Sequence, residues 1–276
     1  MKNYGRDPEN EAQWRALDAI GMPWQAAEPD DWLLAIDDTD NLTSRGTGFL
    51  ARKLAVQLAE QGIAIVKGIT RHQLLVDPRI PYTSHNSSAC LVLTSAPNPQ
   101  AVFDYTCAYL LRESAEGSDA GTVLIQRSAM PEEIRTFGRD AKVSVLTQED
   151  AREIAARHQI PMAELTGTGG GIIGALAATG LNASGHDGRF LWVKQLRSMA
   201  GQSYSVDELE QSTGVRMQNI TNETATHFAK TDQVDLGEWP RAVLLNQRPT
   251  LLVEKNDATT DFSGWRTASK NFVKQF

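Results

Sequence analysis

The stretch Trp32–Leu50, "WLLAIDDTDNLTSRGTGFL", decides how the rest of the chain is read. Its opening "WLLAI" is short, apolar at every position and bounded by turn-formers, the pattern of a strand buried on both faces. The strand runs out into three carboxylates, Asp37, Asp38 and Asp40. Gly46-Thr47-Gly48 then leads into "FLARKLAVQLAEQG". There Leu50, Leu54 and Leu58 recur every four residues, Arg52, Lys53, Gln57 and Glu60 fall elsewhere, and Gly62 stands where a helix C-terminus takes glycine. "IAIVKGI" follows as a second buried strand. Strand, loop, helix and strand in this order predict a mixed α/β (α+β) arrangement in layers.

Working outward, "VDPRIPYTSHNSS" is loop chemistry and "ACLVLT" a strand. "PQAVFDYTCAYLLRES" is a helix with Val102, Tyr105, Tyr109 and Leu110 inward. "EGSDAG" reads as a turn and "TVLIQR" as a strand. "PEEIRTFGRDA" and "TQEDAREIAARHQ" read as helices separated by a strand-like "KVSVL". "RFLWVKQLRSM" has amphipathic helical spacing, and "SVDELEQSTG" opens with a Ser-x-x-Glu capping signature. "RAVLLNQRPTLLVEKN" predicts two strands joined across Asn246–Pro249. Residues 1–31 are polar, with a short helix over Glu11–Ile20, and form either a docking arm or a tail. No internal repeat or low-complexity tract is present.

The 276 residues suffice for one large domain or two ordinary ones. A net charge of -7 argues against a surface that grips nucleic acid everywhere, but leaves room for a local basic groove. Cys90 and Cys107 are too far apart for a Cys-x-x-Cys pair, and the five histidines give no zinc spacing. The N-terminus has no apolar signal region and no run reaches membrane length, so a cytoplasmic protein with no membrane partner is expected.

Three carboxylates at one strand end need an offset. Like charges about 4 Å apart repel by roughly 4 kcal/mol at an effective dielectric near 20. A divalent cation, a basic neighbour or protonation would supply it, and oxygen donors without His or Cys suit Mg²⁺. The same string also serves as a turn or helix cap. Thr47, between two glycines at a helix entry, is placed to cap the helix, to touch a phosphate or to accept one. Arg45 is either a phosphate clamp or a solvated side chain.

A second glycine loop, "TGTGGGIIG" over Thr166–Gly174, lacks the spacing and lysine of a Walker A loop. Gly169, Gly170 and Gly171 still feed a small-residue helix, whose amides can converge on an anion. The alternative is a tight turn with close helix packing through Gly174, Ala175, Ala177 and Ala178. One acidic cluster with two anion-receptive helix starts predicts a bound Mg–nucleotide, with phosphoryl or nucleotidyl transfer as the reaction class. His85 and Asn86, in "YTSHNSS", are candidates for substrate contact.

"IDDTDNLTSRGTGFLA", "DPRIPYTSHNSSACLVL", "EGSDAG" and "GTGGGIIGALAATGL" occur in the order of matching segments in the tRNA agmatinylcytidine synthetase (TiaS) family. The chain resembles that family from about Ala35 to Leu181, and more faintly beyond. The resemblance implies an ATP-dependent kinase-like domain, here over residues 32–70 and 165–276, joined to a ferredoxin-like domain over residues 71–164. Family enzymes use ATP to activate a cytidine in an isoleucine tRNA anticodon and then attach agmatine. On the motif match, Asp37, Asp38 and Asp40 correspond to the metal and ATP residues, and Thr47 to an autophosphorylated threonine. Thr39, Arg45, Gly46, Gly48, Gly169, Gly170 and Gly171 fall in the nucleotide-binding segments. Asn86 matches an asparagine in a "GNAA"-like loop, with His85 in place of the preceding glycine. Family members continue into an OB-fold and a cysteine-rich zinc ribbon that help hold tRNA, whereas this sequence ends at Phe276. The acceptor is therefore expected to be either tRNA or a smaller molecule, and a nucleotide-sensing protein without catalysis is the alternative.

Overall fold

Strand β1 (Trp32–Asp37) is buried on both faces, as its apolar run predicts. Leu33 and Ala35 enter one core, Leu34 and Ile36 another, so helices must cover both sides of the sheet around it. The computed structural model describes residues 7–81, 83, 85–221, 226–256 and 264–276; residues 1–6 of the expected extension lie outside them. Around β1 the first part of the chain supplies α1 (Pro8–Ile20), α2 (Thr47–Glu60), β2 (Ile65–Gln73), β3 (Ser87–Ser95), α3 (Pro99–Glu113) and β4 (Gly121–Gln126). The middle contributes α4 (Glu132–Asp140), α5 (Gln148–Arg157), β5 (Met162–Glu164) and α6 (Gly171–Ser184). The remainder holds β6 (Arg189–Trp192), β7 (Ser203–Ser205), α7 (Val206–Thr213), β8 (Arg216–Asn219), β9 (Gln233–Asp235), β10 (Ala242–Leu245), β11 (Arg248–Asn256), β12 (Gly264–Thr267) and α8 (Lys270–Val273).

The strands form one sheet in the order β5-β4-β1-β3-β2-β6-β10-β11-β12-β9-β7, with β8 added on β11. Within it, β1–α2–β2–β3–α3–β4 makes a split βαβ unit whose strands lie as β4-β1-β3-β2, all antiparallel neighbours. Leu50, Leu54 and Leu58 of α2 and Val102, Tyr109 and Leu110 of α3 cover the Leu34/Ile36 face, joined by Trp14 and Leu17 of α1. The described part of the extension is thus packed, with Trp24 fully buried in the other core.

The Leu33/Ala35 face is covered by α6, whose small residues permit close packing. A Cβ on Gly180 would lie 2.1 Å from the Ile134 carbonyl oxygen of α4, so the two helices meet with backbone in contact. The expected boundary near residue 71 falls inside β2, and the sheet runs unbroken across it. No helix among the described residues is long and apolar enough to cross a membrane.

Two expected elements are corrected. "KVSVL" is no strand: it forms turns, with Val143 73% exposed, Leu146 turned to the core and no strand pairing with it among the described residues. "RFLWVKQLRSM" is strand β6 followed by turns, because Phe190 and Trp192 are buried with strand periodicity and Gln195 takes a left-handed φ of 59°. The capping box holds, with Ser205 and Glu208 bonded reciprocally at the start of α7. The β10–β11 hairpin turns on Asn246 and Gln247 alone, both left-handed, so Arg248 and Pro249 belong to β11.

Candidate functional site

The end of β1 is fixed by its neighbours: Asp37 pairs with Gly121 of β4, and Asp119 lies just upstream, its amide donating to the Asp38 carbonyl oxygen at 3.2 Å. Helix α6 starts against the same point, where the Gly171 amide donates to the Asp119 carbonyl at 2.8 Å. Three chain segments distant in sequence therefore meet at one cleft of about 390 Å³. Its acidic end is Asp37, Asp38, Asp40 and Asp119; Thr47, Thr83, His85, Asn86, Gly170 and Gly171 also line it. Leu74, Ile80, Pro81, Leu146 and Ile173 give it an apolar wall.

Burial, reinforced by the charges of Asp38 and Asp40, pushes the Asp37 carboxyl up to about 8. Burial, then Asp119 and Asp40, raise Asp38 to about 6. Asp37 Oδ1 accepts the Asp38 amide at 2.8 Å, and Asp38 holds a left-handed φ of 52° to make that turn. The other face of the Asp37 carboxylate is pressed on α6. A Cβ on Gly174 would stand 1.7 Å from Asp37 Oδ2, so this position requires glycine.

Asp40 points elsewhere. It accepts the Thr47 hydroxyl at 3.0 Å and the Thr83 hydroxyl at 2.9 Å. Thr47 is the first residue of α2 but does not cap it; its oxygen accepts from the Thr39 hydroxyl at 3.1 Å, and Thr39 is fully buried beneath it. Thr39 therefore supports Thr47 without opening onto the cleft. Among the described residues, no three acidic, His or Cys side chains are gathered so as to hold a metal unaided.

Several expected ligands are placed differently. Arg45 turns away, pairing with Asp7 and with Glu9 at 2.8 Å and lying over the Phe49 ring, so it ties α1 to α2. Gly46 and Gly48 are not in the cleft lining, and Gly48 faces Leu191. Gly169 packs on Glu164. In the second glycine loop the amides of Gly169, Gly171, Ile172 and Ile173 are already given to Thr166, Asp119, Gly169 and Gly170 carbonyls, so the loop closes largely on itself. The Asn86 amide donates to the Leu75 carbonyl at 2.7 Å, bracing the loop it belongs to. His85 faces the cleft, its imidazole held below the usual range by burial and by Arg71, Arg189 and Lys274.

Asp119 and Thr83 were not singled out by the sequence. Asp119 sits in "EGSDAG", which reads as a turn; only the pairing of β1 with β4 reveals that the turn borders the acidic strand end.

No protein-family model matches the chain. An uncharacterized protein of Methanocaldococcus jannaschii is 28% identical over 150 residues, covering 54% of this chain and 49% of that one. The isoleucine-tRNA 2-agmatinylcytidine synthetase TiaS of Cenarchaeum symbiosum is 28% identical over 149 residues, covering 53% of this chain and 32% of its own. The matched region thus spans about half the length of one curated relative and a third of the other. A solved complex of TiaS with its isoleucine tRNA and ATP aligns with a TM-score of 0.48 and 24% identity over 54% of this chain and 36% of that one. Over about half of its length, the chain resembles TiaS.

Proposed function

We propose that the chain is an ATP- and Mg²⁺-dependent phosphotransferase or ligase that modifies a tRNA cytidine. The observation that carries this reading is the gathering of Asp37, Asp38, Asp40 and Asp119 at one end of a cleft, with Asp37 raised to about 8. None of the four forms an ion pair with a basic side chain among the described residues. The likeness to a named tRNA-modifying enzyme supports the choice of substrate class. Residues 32–70 and 165–276, which carry Asp37, Asp38, Asp40 and Thr47, are read as the kinase-like part and residues 71–164 as the ferredoxin-like part, with one sheet running through both.

The donor set fits Mg²⁺, which takes one or two carboxylates and completes its shell with water and phosphate oxygens. Asp37 and Asp38 would hold it, and when bound it offsets the charge of a triphosphate. The residues' own work is separable. Asp37 would have to give up its proton to serve as a ligand, so Mg²⁺ binding would release acid near neutral pH. Asp40 receives the Thr47 proton at Oδ1 as the threonine oxygen bonds to the γ-phosphorus and ADP departs. Thr39 and Thr83 keep that pair aligned from the buried and open sides. The apolar wall takes the flat base and excludes water.

Calorimetric titration of ATP, with Mg²⁺ and with EDTA, into the full chain and into Asp38→Asn tests the reading. Binding should need Mg²⁺ and weaken at least tenfold in the variant. ATP consumption with a cytidine-bearing isoleucine tRNA, polyamines and small alcohols then identifies the acceptor. Equal ATP affinity under all these conditions would sink the metal–nucleotide assignment. Consumption indifferent to tRNA but driven by a small alcohol would replace the tRNA substrate and leave the phosphotransfer site in place.

A further inference from the structure

Across β3 from the acids of β1 lies a feature that the proposed nucleotide contacts do not use. Arg71 of β2 and Arg189 of β6 are directly opposed in register. Cross-strand partners share a face, and like charges so placed destabilise a sheet. Their face is the α2 side: Ile69, two residues before Arg71, is in that core, and Leu191, two after Arg189, packs on it at Gly48. Thr70 and His72 point the other way, Thr70 accepting the Asn182 amide of α6 at 2.9 Å.

Both arginines are partly buried, and neither forms an ion pair with a carboxylate among the described residues. Arg71 makes one long hydrogen bond, 3.4 Å to the neutral Gln73 amide oxygen. The Arg189 guanidinium makes none with the described residues. Burial and the facing Arg189 bring Arg71 down to about 10. Both charges bear on His85, which lines the cleft, and Arg71 also acts on Asp37. In a chain of net charge -7, acids to neutralise this pair are plentiful, yet none among the described residues pairs with either arginine.

We infer that Arg71 and Arg189 form a phosphate clamp beside the cleft, on its His85 side. Two planar guanidinium groups on one face can each present paired N–H donors to phosphate oxygens, and a doubly charged anion between them converts repulsion into attraction. The clamp rests on the proposed function only for the source of its phosphate, either the nucleotide's own chain or a phosphate on the acceptor. Its chemistry stands without that assignment.

Inorganic tripolyphosphate is the probe, titrated in EDTA into the full chain and into Arg71→Gln and Arg189→Gln. Each substitution should weaken binding at least tenfold and flatten the dependence of affinity on salt. In the absence of anion, both variants should melt at or above the wild-type temperature, since the repulsion is gone. With tripolyphosphate the wild type should gain more than either variant. Affinities within twofold of wild type, or variants that melt several degrees lower without anion, overturn the clamp. Repeating the titration with Mg–ATP and with a short single-stranded RNA separates the sources, the loss following whichever phosphate is held. Intact tripolyphosphate binding in both variants beside Asp38-dependent ATP binding removes the clamp alone. A clamp effect with no Mg–ATP binding at all removes the proposed function alone.

Discussion

Asp37→Asn is expected to stabilise the protein, and increasingly so as pH rises. The folded carboxyl sits near 8, against 3.8 for an ordinary aspartate, chiefly through burial and then through Asp38 and Asp40. Because the folded value is the higher one, the stability associated with the protonated group is complete below 3.8 and drains away as pH climbs through about 8. Each pH unit in that window costs about 1.4 kcal/mol, so the whole of it is worth up to about 6 kcal/mol. Asparagine keeps an Oδ1 for the Asp38 amide and never ionises. At about 2–4 °C per kcal/mol for a chain of this size, the variant should gain on the order of 10 °C over wild type between pH 5 and pH 8, then hold that lead. Scanning calorimetry in EDTA across pH 5–9 reads it directly. Added Mg²⁺ should stabilise the wild type at pH 8 and leave the variant nearly unmoved. Two melting curves that run parallel from pH 5 to pH 8 would refute the reasoning, since the carboxyl would then be titrating as it does in water.

Gly174→Ala places a methyl group on the Asp37 carboxylate and should lower the urea midpoint by the equivalent of about 2 kcal/mol or more; an unchanged midpoint would mean that α6 and β1 are not in this contact. Arg45→Ala should reduce the melting temperature by less than about 2 °C, because its partners are at the surface, and leave ATP affinity within twofold. A tenfold loss of ATP affinity would restore Arg45 as a phosphate ligand. Asn86→Ala removes the donor to the Leu75 carbonyl and should cost about 1–2 kcal/mol in denaturant unfolding, with nucleotide affinity changed less than in Asp38→Asn.

What could be read from the sequence was what periodicity and punctuation encode locally. "WLLAI" declared a strand buried on both faces, and the two cores on either side of β1 follow from it. The four-residue spacing of leucines announced α2, and the Ser205 capping box announced α7. "RFLWVKQLRSM" failed because a four-residue strand with two aromatic residues inward also satisfies a helical stripe; the left-handed Gln195 that ends it carries no signal of its own. Arg45 failed for another reason. Its partners lie 38 and 36 residues away on a helix whose docking is a tertiary event. The acids Asp37, Asp38 and Asp40 were visible as a string, whereas Asp119 became their neighbour only through the Asp37–Gly121 register.

That register also bears on why the charges are tolerated. β1 is an inner strand of its unit, hydrogen-bonded on both edges and covered on both faces, so its end cannot move to relieve the crowding of acids. The same rigidity holds Arg71 against Arg189 across β2 and β6. A chain under selection for stability alone would join these groups as ion pairs, since Arg71 already acts on Asp37 through space. Instead the acids end β1 and the arginines stand on β2 and β6, with β3 between them, and no ion pair joins the two groups among the described residues. The arrangement is complementary to a ligand that itself carries both signs, a cation at one end and phosphate oxygens at the other. A magnesium-bound polyphosphate is the simplest such molecule, and neither a bare metal ion nor a bare phosphate would relieve both clusters at once.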